Sequence, residues 1–418
     1  DASIAEDAGT EDAGSDGGCG CSEEMPFCDP SGGRCVQCLD NYHCDDVDPC
    51  TVDRCSLGTC THTPEPQCVA ELGLGSAHSC ARRVSGEVVC WGSDNFGQLG
   101  IGTVSTEPTL PTRVSTISDA VEIALGSDFT CARREAMATS CWGRGGDGQL
   151  GNGMVVDSST PRVSMVPSDA TAIAAGFAHA CALRAGGAVV CWGRNTWGEL
   201  GSGSTVSGSP VPVVVSGLTD ATSIAAGGAV SCAIRRGGTA ACWGANSSGQ
   251  LGDGTTGTTR RVPAMVAGLT DAQVVEVSGQ HSCAIRAGGA VVCWGANDSG
   301  QLGDGTTVNS PVPLAVSGLV DATALALSVT HSCALRATGA VVCWGDNASG
   351  QLGDGSLLPS RTPVEVSATD LLEVRSGANG HSCARGGNGT VLCWGYNSVG
   401  QVGDGTRANH AIPVEVGL

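Results

Sequence analysis

The chain contains no lysine: all 21 of its basic residues are arginine. Without lysine there can be no P-loop lysine, no Schiff-base lysine and no Ser-x-x-Lys acylation pair, which removes several nucleotide-hydrolysing and covalent-catalytic classes. Aromatic side chains are also scarce, at 3% of the residues, so helices packed on bulky cores are not expected. No Lys/Arg-rich run offers a footprint for a phosphate backbone, and nucleic acid is not an expected partner. No apolar stretch approaches the roughly eighteen residues that a spanning helix needs. A charged segment followed by an apolar one, the mark of an export signal, is absent too, so any such signal is expected either to have been removed or to lie outside this sequence.

What is present is glycine, cysteine and acid. The 64 glycines suit many short strands joined by tight turns. The formal net charge is −20, unevenly spread. Residues 1–18 carry six acids and no base among small residues, which predicts a disordered acidic linker that cannot bury enough surface to offset its ordering entropy. Residues 19–68 hold ten cysteines, from Cys19 to Cys68, and predict a small module stapled by disulfides in place of a core. Cys35-x-x-Cys38 has zinc-ligand spacing, but it lies in a dense ladder of other cysteines and reads as disulfide. Asp45, Asp46 and Asp48 lack the glycine and terminal glutamate of a calcium loop. No metal and no cofactor is expected. Within the module, CDDVDPCTVDRCSLGTCTHTP resembles the cysteine-rich slime-mould repeat of extracellular proteins.

From residue 69 to 418 the chain counts. Cys-Trp-Gly occurs seven times, at Cys90, Cys141, Cys191, Cys242, Cys293, Cys343 and Cys393, in steps of 50 or 51 residues. Each has a partner ten residues upstream, at Cys80, Cys131, Cys181, Cys232, Cys283, Cys333 and Cys383. A period near fifty with several strands per unit marks a propeller or solenoid. In the fifth unit strand A is expected over about Val262–Ala267, B over Val274–Ser278, C over His281–Arg286 and D over Ala290–Gly295. Six units place glycine six residues after the first cysteine, as in Gly86 and Gly289, where a three-residue hairpin loop wants a left-handed residue. That loop pairs the two cysteines of a unit directly across the C–D hairpin, at a disulfide's separation. The second unit has Met137 there, so its turn is expected to differ. Even-numbered, regularly paired cysteines predict an oxidising compartment: a secreted or bacterial surface protein.

The run HSCAIRAGGAVVCWGANDSGQLGDG resembles the repeat of the regulator of chromosome condensation family, over residues 69–418. The resemblance implies an all-β fold, a seven-bladed β-propeller of four-stranded blades. Since the repeats start at strand B and end on the strand-A sequence HAIPVEVGL, the last strand is expected to complete the first blade and so close the ring.

Histidine stands two before the first cysteine in five units, at His78, His179, His281, His331 and His381. A propeller spreads these positions around its circumference, so they read as structural rather than as a metal centre. The recurrent tryptophan reads as blade packing. Arg83, Arg134, Arg184, Arg235, Arg286 and Arg336 form a further ring, and Asp119, Asp169, Asp220, Asp271, Asp321 and Asp370 precede them on the A–B turns. Both turns fall on one propeller face, so Asp–Arg pairing is expected in place of an anion site. Binding information belongs where the repeat fails to repeat: two and five residues after the tryptophan, in the D–A loops of the opposite face. There stand Arg144, Arg194, Tyr396, Phe96 and Trp197, residue types that dominate interface energy. The expected function is a non-catalytic, monomeric binding propeller for a protein or surface glycan, without a membrane span. The resemblance also implies two alternatives: a protein inhibitor of a secreted enzyme, and guanine-nucleotide exchange, whose cytosolic setting conflicts with the disulfides.

Overall fold

A computed structural model describes residues 27–28, 35–44, 50–104, 107–387 and 389–418. The chain divides into two compact units, the first ending at Cys68 and the second beginning at Val69. The acidic segment 1–18, Cys19, Cys21 and the three aspartates at 45, 46 and 48 lie outside the described residues. In the first unit a hairpin of Thr51–Ser56 and Thr59–Pro64 turns at Leu57 and Gly58, both at positive φ (52° and 81°), the two-residue geometry that matches strand twist. Among the described residues of this unit three disulfides hold it, Cys38–Cys55, Cys44–Cys60 and Cys50–Cys68.

The second unit is seven four-stranded antiparallel sheets, each built from strands consecutive in sequence. Blade 5 is typical: Ala272–Val277 (strand B) lies innermost, followed outward by His281–Arg286 (C), Val291–Gly295 (D) and Ser310–Ala315, the A strand of the next repeat. The C–D hairpin has the expected register. Cys283 lies opposite Cys293, the amide of Arg286 donates to the carbonyl of Ala290 (2.8 Å) and that of Gly289 to the carbonyl of Arg286 (3.0 Å). All seven blades carry the in-hairpin disulfide, with Cα atoms 4.0–4.1 Å apart.

Two expectations are corrected. The second unit's turn does not differ. Met137 donates to the carbonyl of Arg134 (2.9 Å) as the glycines do, at a φ of 58°. The hairpin register fixed by Cys131 and Cys141 leaves a three-residue loop only one shape, and methionine adopts it at a conformational cost. Nor does the last strand complete the first blade. His410–Glu415 pairs with Val391–Gly395 of blade 7, and blade 1 has its own outer strand, Thr112–Arg113. Each D–A loop folds straight back on its own D strand, so no strand is left over for an exchange.

The ring closes instead by the seam that joins every other pair of blades. The disulfide of one blade packs against the tryptophan of the next: Cys80 and Cys90 share an apolar cluster with Trp142, and Cys383 and Cys393 share one with Trp91. Each indole is fully buried and donates its Nε1–H to a loop carbonyl of the preceding blade, as Trp142 does to Gln98 (2.9 Å) and Trp91, across the closing seam, to Gln401 (2.9 Å). Glycine faces the indole in each loop; a Cβ on Gly100 would stand 2.5 Å from Trp142 Nε1.

Candidate binding face

Five of the seven D–A loops are held by their own asparagine; in blade 1 Asp94 accepts the corresponding amide of Leu99 (3.0 Å), and in blade 2 Gly145 stands there, its amide donating to Asp157 Oδ1 (2.8 Å). Asn297 Oδ1 accepts from the amide of Leu302 (2.9 Å), and its Nδ2 donates to Asp304 Oδ1 and the carbonyl of Thr306 (both 3.2 Å). On this frame the residue two after the tryptophan is tied to the neighbouring B–C turn by a main-chain bond, Arg144 to Asp128, Arg194 to Ala178 and Tyr396 to Gly380, each 2.8–2.9 Å. D–A loops and B–C turns therefore make one face.

The structure brings four of the five candidate residues together with partners in successive blades. The Arg144 guanidinium of blade 2 lies 5.3 Å from the ring centre of Phe96 in blade 1, with Asp147 and Asp128 at 3.7 and 3.8 Å. Burial raises the pKa of Asp128, opposed by its Ser127 hydrogen bond and by Arg144. In blade 3 the Arg194 guanidinium lies 5.9 Å from the ring centre of Phe177 and donates to Glu199 Oε1 (3.0 Å). Trp197 is 49% exposed in a chain that buries the tryptophan of every repeat. Tyr396, in blade 7, is half-buried and makes no ring stacking or cation contact among the described residues.

Sequence reasoning missed two members. Phe177 is exposed on the B–C turn, its amide donating to the carbonyl of Gly228 (2.7 Å) while its own carbonyl accepts from Ser127 (3.2 Å). Glu199 replaces the glutamine found at that position in the other six loops. Its second oxygen accepts the amide of Trp197 (2.7 Å), the task Gln98 performs for Phe96 (2.9 Å), which leaves the first for Arg194. Both carry a signal in the sequence: Glu199 departs from a constant column of glutamine, and Phe177 is the one aromatic at a position that holds serine, glycine, valine or asparagine in the other units.

The opposite face carries the expected ion pairs. Arg134–Asp119, Arg184–Asp169, Arg235–Asp220, Arg286–Asp271 and Arg336–Asp321 are 2.7–2.9 Å apart. Their hydrogen bonds hold Asp169 and Asp220 below the ordinary carboxylate pKa. In blade 1, which lacks the aspartate, Arg83 lies 3.8 Å from Glu87.

The histidines are seam residues. His78 Nε2 meets Thr130 Oγ1 of the next blade (2.9 Å), and that hydroxyl donates to the Gln98 carbonyl (3.0 Å). The hydroxyl proton is thereby used, so His78 is the donor through Nε2–H. The same link joins His179–Ser231, His281–Ser332, His331–Ser382 and His381–Ser79 (2.7–3.0 Å). Burial lowers the pKa of His78, His179, His281 and His381 to about 3 and that of His331 to about 4. In the first unit the sulfurs of Cys38, Cys44 and Cys55 lie within 4.8 Å of one another, but all three are in disulfides and offer no thiolate.

The repeat model described as "Regulator of chromosome condensation (RCC1) repeat" matches residues 85–133, 141–183, 186–234, 238–285, 288–335 and 388–418. Among curated proteins the chain is similar to the human E3 ubiquitin-protein ligase HERC2, 29% identical over 56% of this chain and 5% of that protein. It is also similar to the mitochondrial RCC1 domain-containing protein RUG3 of Arabidopsis thaliana, 31% identical over 56% of this chain and 55% of the other. The chain thus spans a small part of the first and about half of the second. Among solved structures, human WBSCR16 superposes with a TM-score of 0.72 at 22% identity, covering 79% of this chain and 94% of that one. Prp20p of Saccharomyces cerevisiae, whose structure is described together with its binding to Gsp1p and histones, superposes at 0.67, with 22% identity over 79% and 86%.

Proposed function

Because the chain belongs to the regulator of chromosome condensation repeat family, we propose that it is a non-catalytic protein-binding propeller whose partner docks on the face of D–A loops and B–C turns. The observation that carries this reading is the run Phe96–Arg144 and Phe177–Arg194 with exposed Trp197, three successive blades placing aromatic and arginine side chains where the repeat varies. Stacking on a ring pre-orders each guanidinium, so little side-chain entropy remains to be lost when a partner arrives. Support for a non-catalytic role comes from the histidines, which are buried in seams rather than poised in a cleft. The relative Prp20p is described as binding proteins, which agrees with an interaction role. The same reading puts the protein in an oxidising compartment, secreted or displayed on a bacterial surface; ten disulfides among the described residues support it.

The test is affinity capture from native extracellular medium with three baits: the wild type, Phe96→Ala/Trp197→Ala, and the opposite-face variant Asp271→Ala/Arg286→Ala. The reading expects a protein retained by the first and third and lost by the second. Equal retention by all three removes it. A captured hydrolase that loses activity on binding would specialise the same face to inhibition.

A further inference from the structure

The inner strands surround a central channel of about 720 Å³. At the fifth position of these strands five blades place a small residue, Gly73, Ala124, Ala174, Ala225 and Ala326, which keeps the bore open. Blades 5 and 7 break this ring with Glu276 and Arg375, and both line the channel.

Of the charges in and beside the channel, Arg194, which also lines it, is matched by Glu199 of its own blade (3.0 Å). Glu71, Glu122 and Glu373 each pair with a cross-strand arginine of their own blade: Arg82 (2.9 Å), Arg133 (2.8 Å) and Arg385 (3.3 Å). Arg375 is a second guanidinium on Glu373 (3.2 Å), and its Nε also donates to the carbonyl of Leu72 (3.2 Å). One positive charge is therefore in excess at blade 7. Glu276 makes no ion pair among the described residues, so one negative charge is in excess at blade 5, with only Ala326 between them on that level. Burial raises the Glu276 pKa, and the charge of Arg375 opposes that rise. The two excess charges are not bonded to each other, although a direct pair would be the inexpensive way to keep both inside a wall of glycine and alanine.

We propose that the channel is a binding site for a small zwitterion, a free amino acid or short peptide, whose carboxylate is taken by Arg375 and whose ammonium group is taken by Glu276. Each ligand charge then neutralises one unmatched protein charge, and the Gly/Ala ring supplies the space. Charge-assisted hydrogen bonds of this kind are stronger than neutral ones, so each end is recognised.

Calorimetric titration of the full chain tests this with glycine and glycylglycine as zwitterions, beside N-acetylglycylglycine, which lacks the ammonium group, and glycylglycine amide, which lacks the carboxylate. At least one zwitterion is expected to bind, and each blocked form to bind about tenfold or more weakly. In Glu276→Gln, a near-isosteric change, the advantage of the zwitterion over the N-acetylated form is expected to vanish while its advantage over the amide remains. Arg375→Gln also loses the bond to Leu72, so unchanged circular dichroism of Glu276→Gln makes that variant decisive. Absence of binding by both zwitterions, equal binding of the blocked forms, or unchanged discrimination in Glu276→Gln would each overturn the proposal.

Discussion

Phe129 and Ala180 occupy, within one apolar cluster at the seam of blades 2 and 3, the two positions that His78 and Thr130 occupy at the seam before. At this seam the hydroxyl that would receive the histidine's proton is absent together with the histidine. At the seam of blades 4 and 5 only the histidine is replaced, by Val230, and Ser282 keeps its bond to the Gln250 carbonyl (2.8 Å). A hydroxyl thus occurs without the histidine at one seam, whereas each of the five seam histidines has its hydroxyl.

That asymmetry gives a double-mutant cycle. Phe129→His strands a buried imidazole N–H opposite Ala180 and should destabilise by about 2–3 kcal/mol. Adding Ala180→Ser supplies the acceptor, whose own proton can go to the Gln149 carbonyl, and should recover about 1 kcal/mol or more. Chemical denaturation measures both. Simple additivity of the two changes would contradict the seam account.

Acid should loosen the ring. The five buried histidines have pKa values of about 3 or 4 against 6.5 for the free group. The unfolded chain thus binds more protons than the native one between pH 6.5 and the folded values. Stability contributed by these groups is complete above pH 6.5 and falls as the pH drops through that window, at about 1.4 kcal/mol per pH unit for each histidine. Denaturation midpoints at pH 7, 6, 5 and 4 should fall steeply. A flat profile would mean that the histidines are not held neutral.

Met137 sits in a left-handed turn that six blades give to glycine, and it is 60% exposed, so little of its side chain is packed to offset the strain. Met137→Gly should stabilise by about 0.5–1 kcal/mol, the relief of strain exceeding the added freedom of the unfolded chain. A thermal melt distinguishes this from the loss expected if the methionine side chain contributes contacts.

Arg194 and Glu199 act as a unit, because the carboxylate is fully buried. Arg194→Ala leaves that charge without its partner and should cost about 3 kcal/mol. Glu199→Gln restores the residue used in the other six loops and should rescue most of the loss when combined with it. The double variant is thus the proper one for asking what Arg194 does for a partner. Absence of rescue would show that the destabilisation has another source.

Much of this architecture could be read from composition and period. The Cys-Trp-Gly spacing, the turn glycine and the cysteine pairing in the hairpin follow from local geometry, so they were legible, as were the Asp–Arg pairs between two turns of one face. Blade closure was not. Whether His410–Glu415 pairs with blade 1 or blade 7 depends on how the D–A loop folds back, and both outcomes have the same strand pattern. At Met137 the tertiary register outweighs residue preference, which the local sequence does not reveal. On the binding face Trp197 and Phe96 announced themselves by type, whereas Phe177 and Glu199 matter through neighbours 17 and 5 residues away that only the fold brings into contact.

The central claim is that the varied face, and not the ring of Asp–Arg pairs, meets the partner. A photoreactive amino acid placed at position 197, and separately at 286, followed by irradiation in native extracellular medium, tests it most directly. The account predicts a discrete crosslinked species from position 197 and none from 286. A crosslink from 286 alone would contradict it.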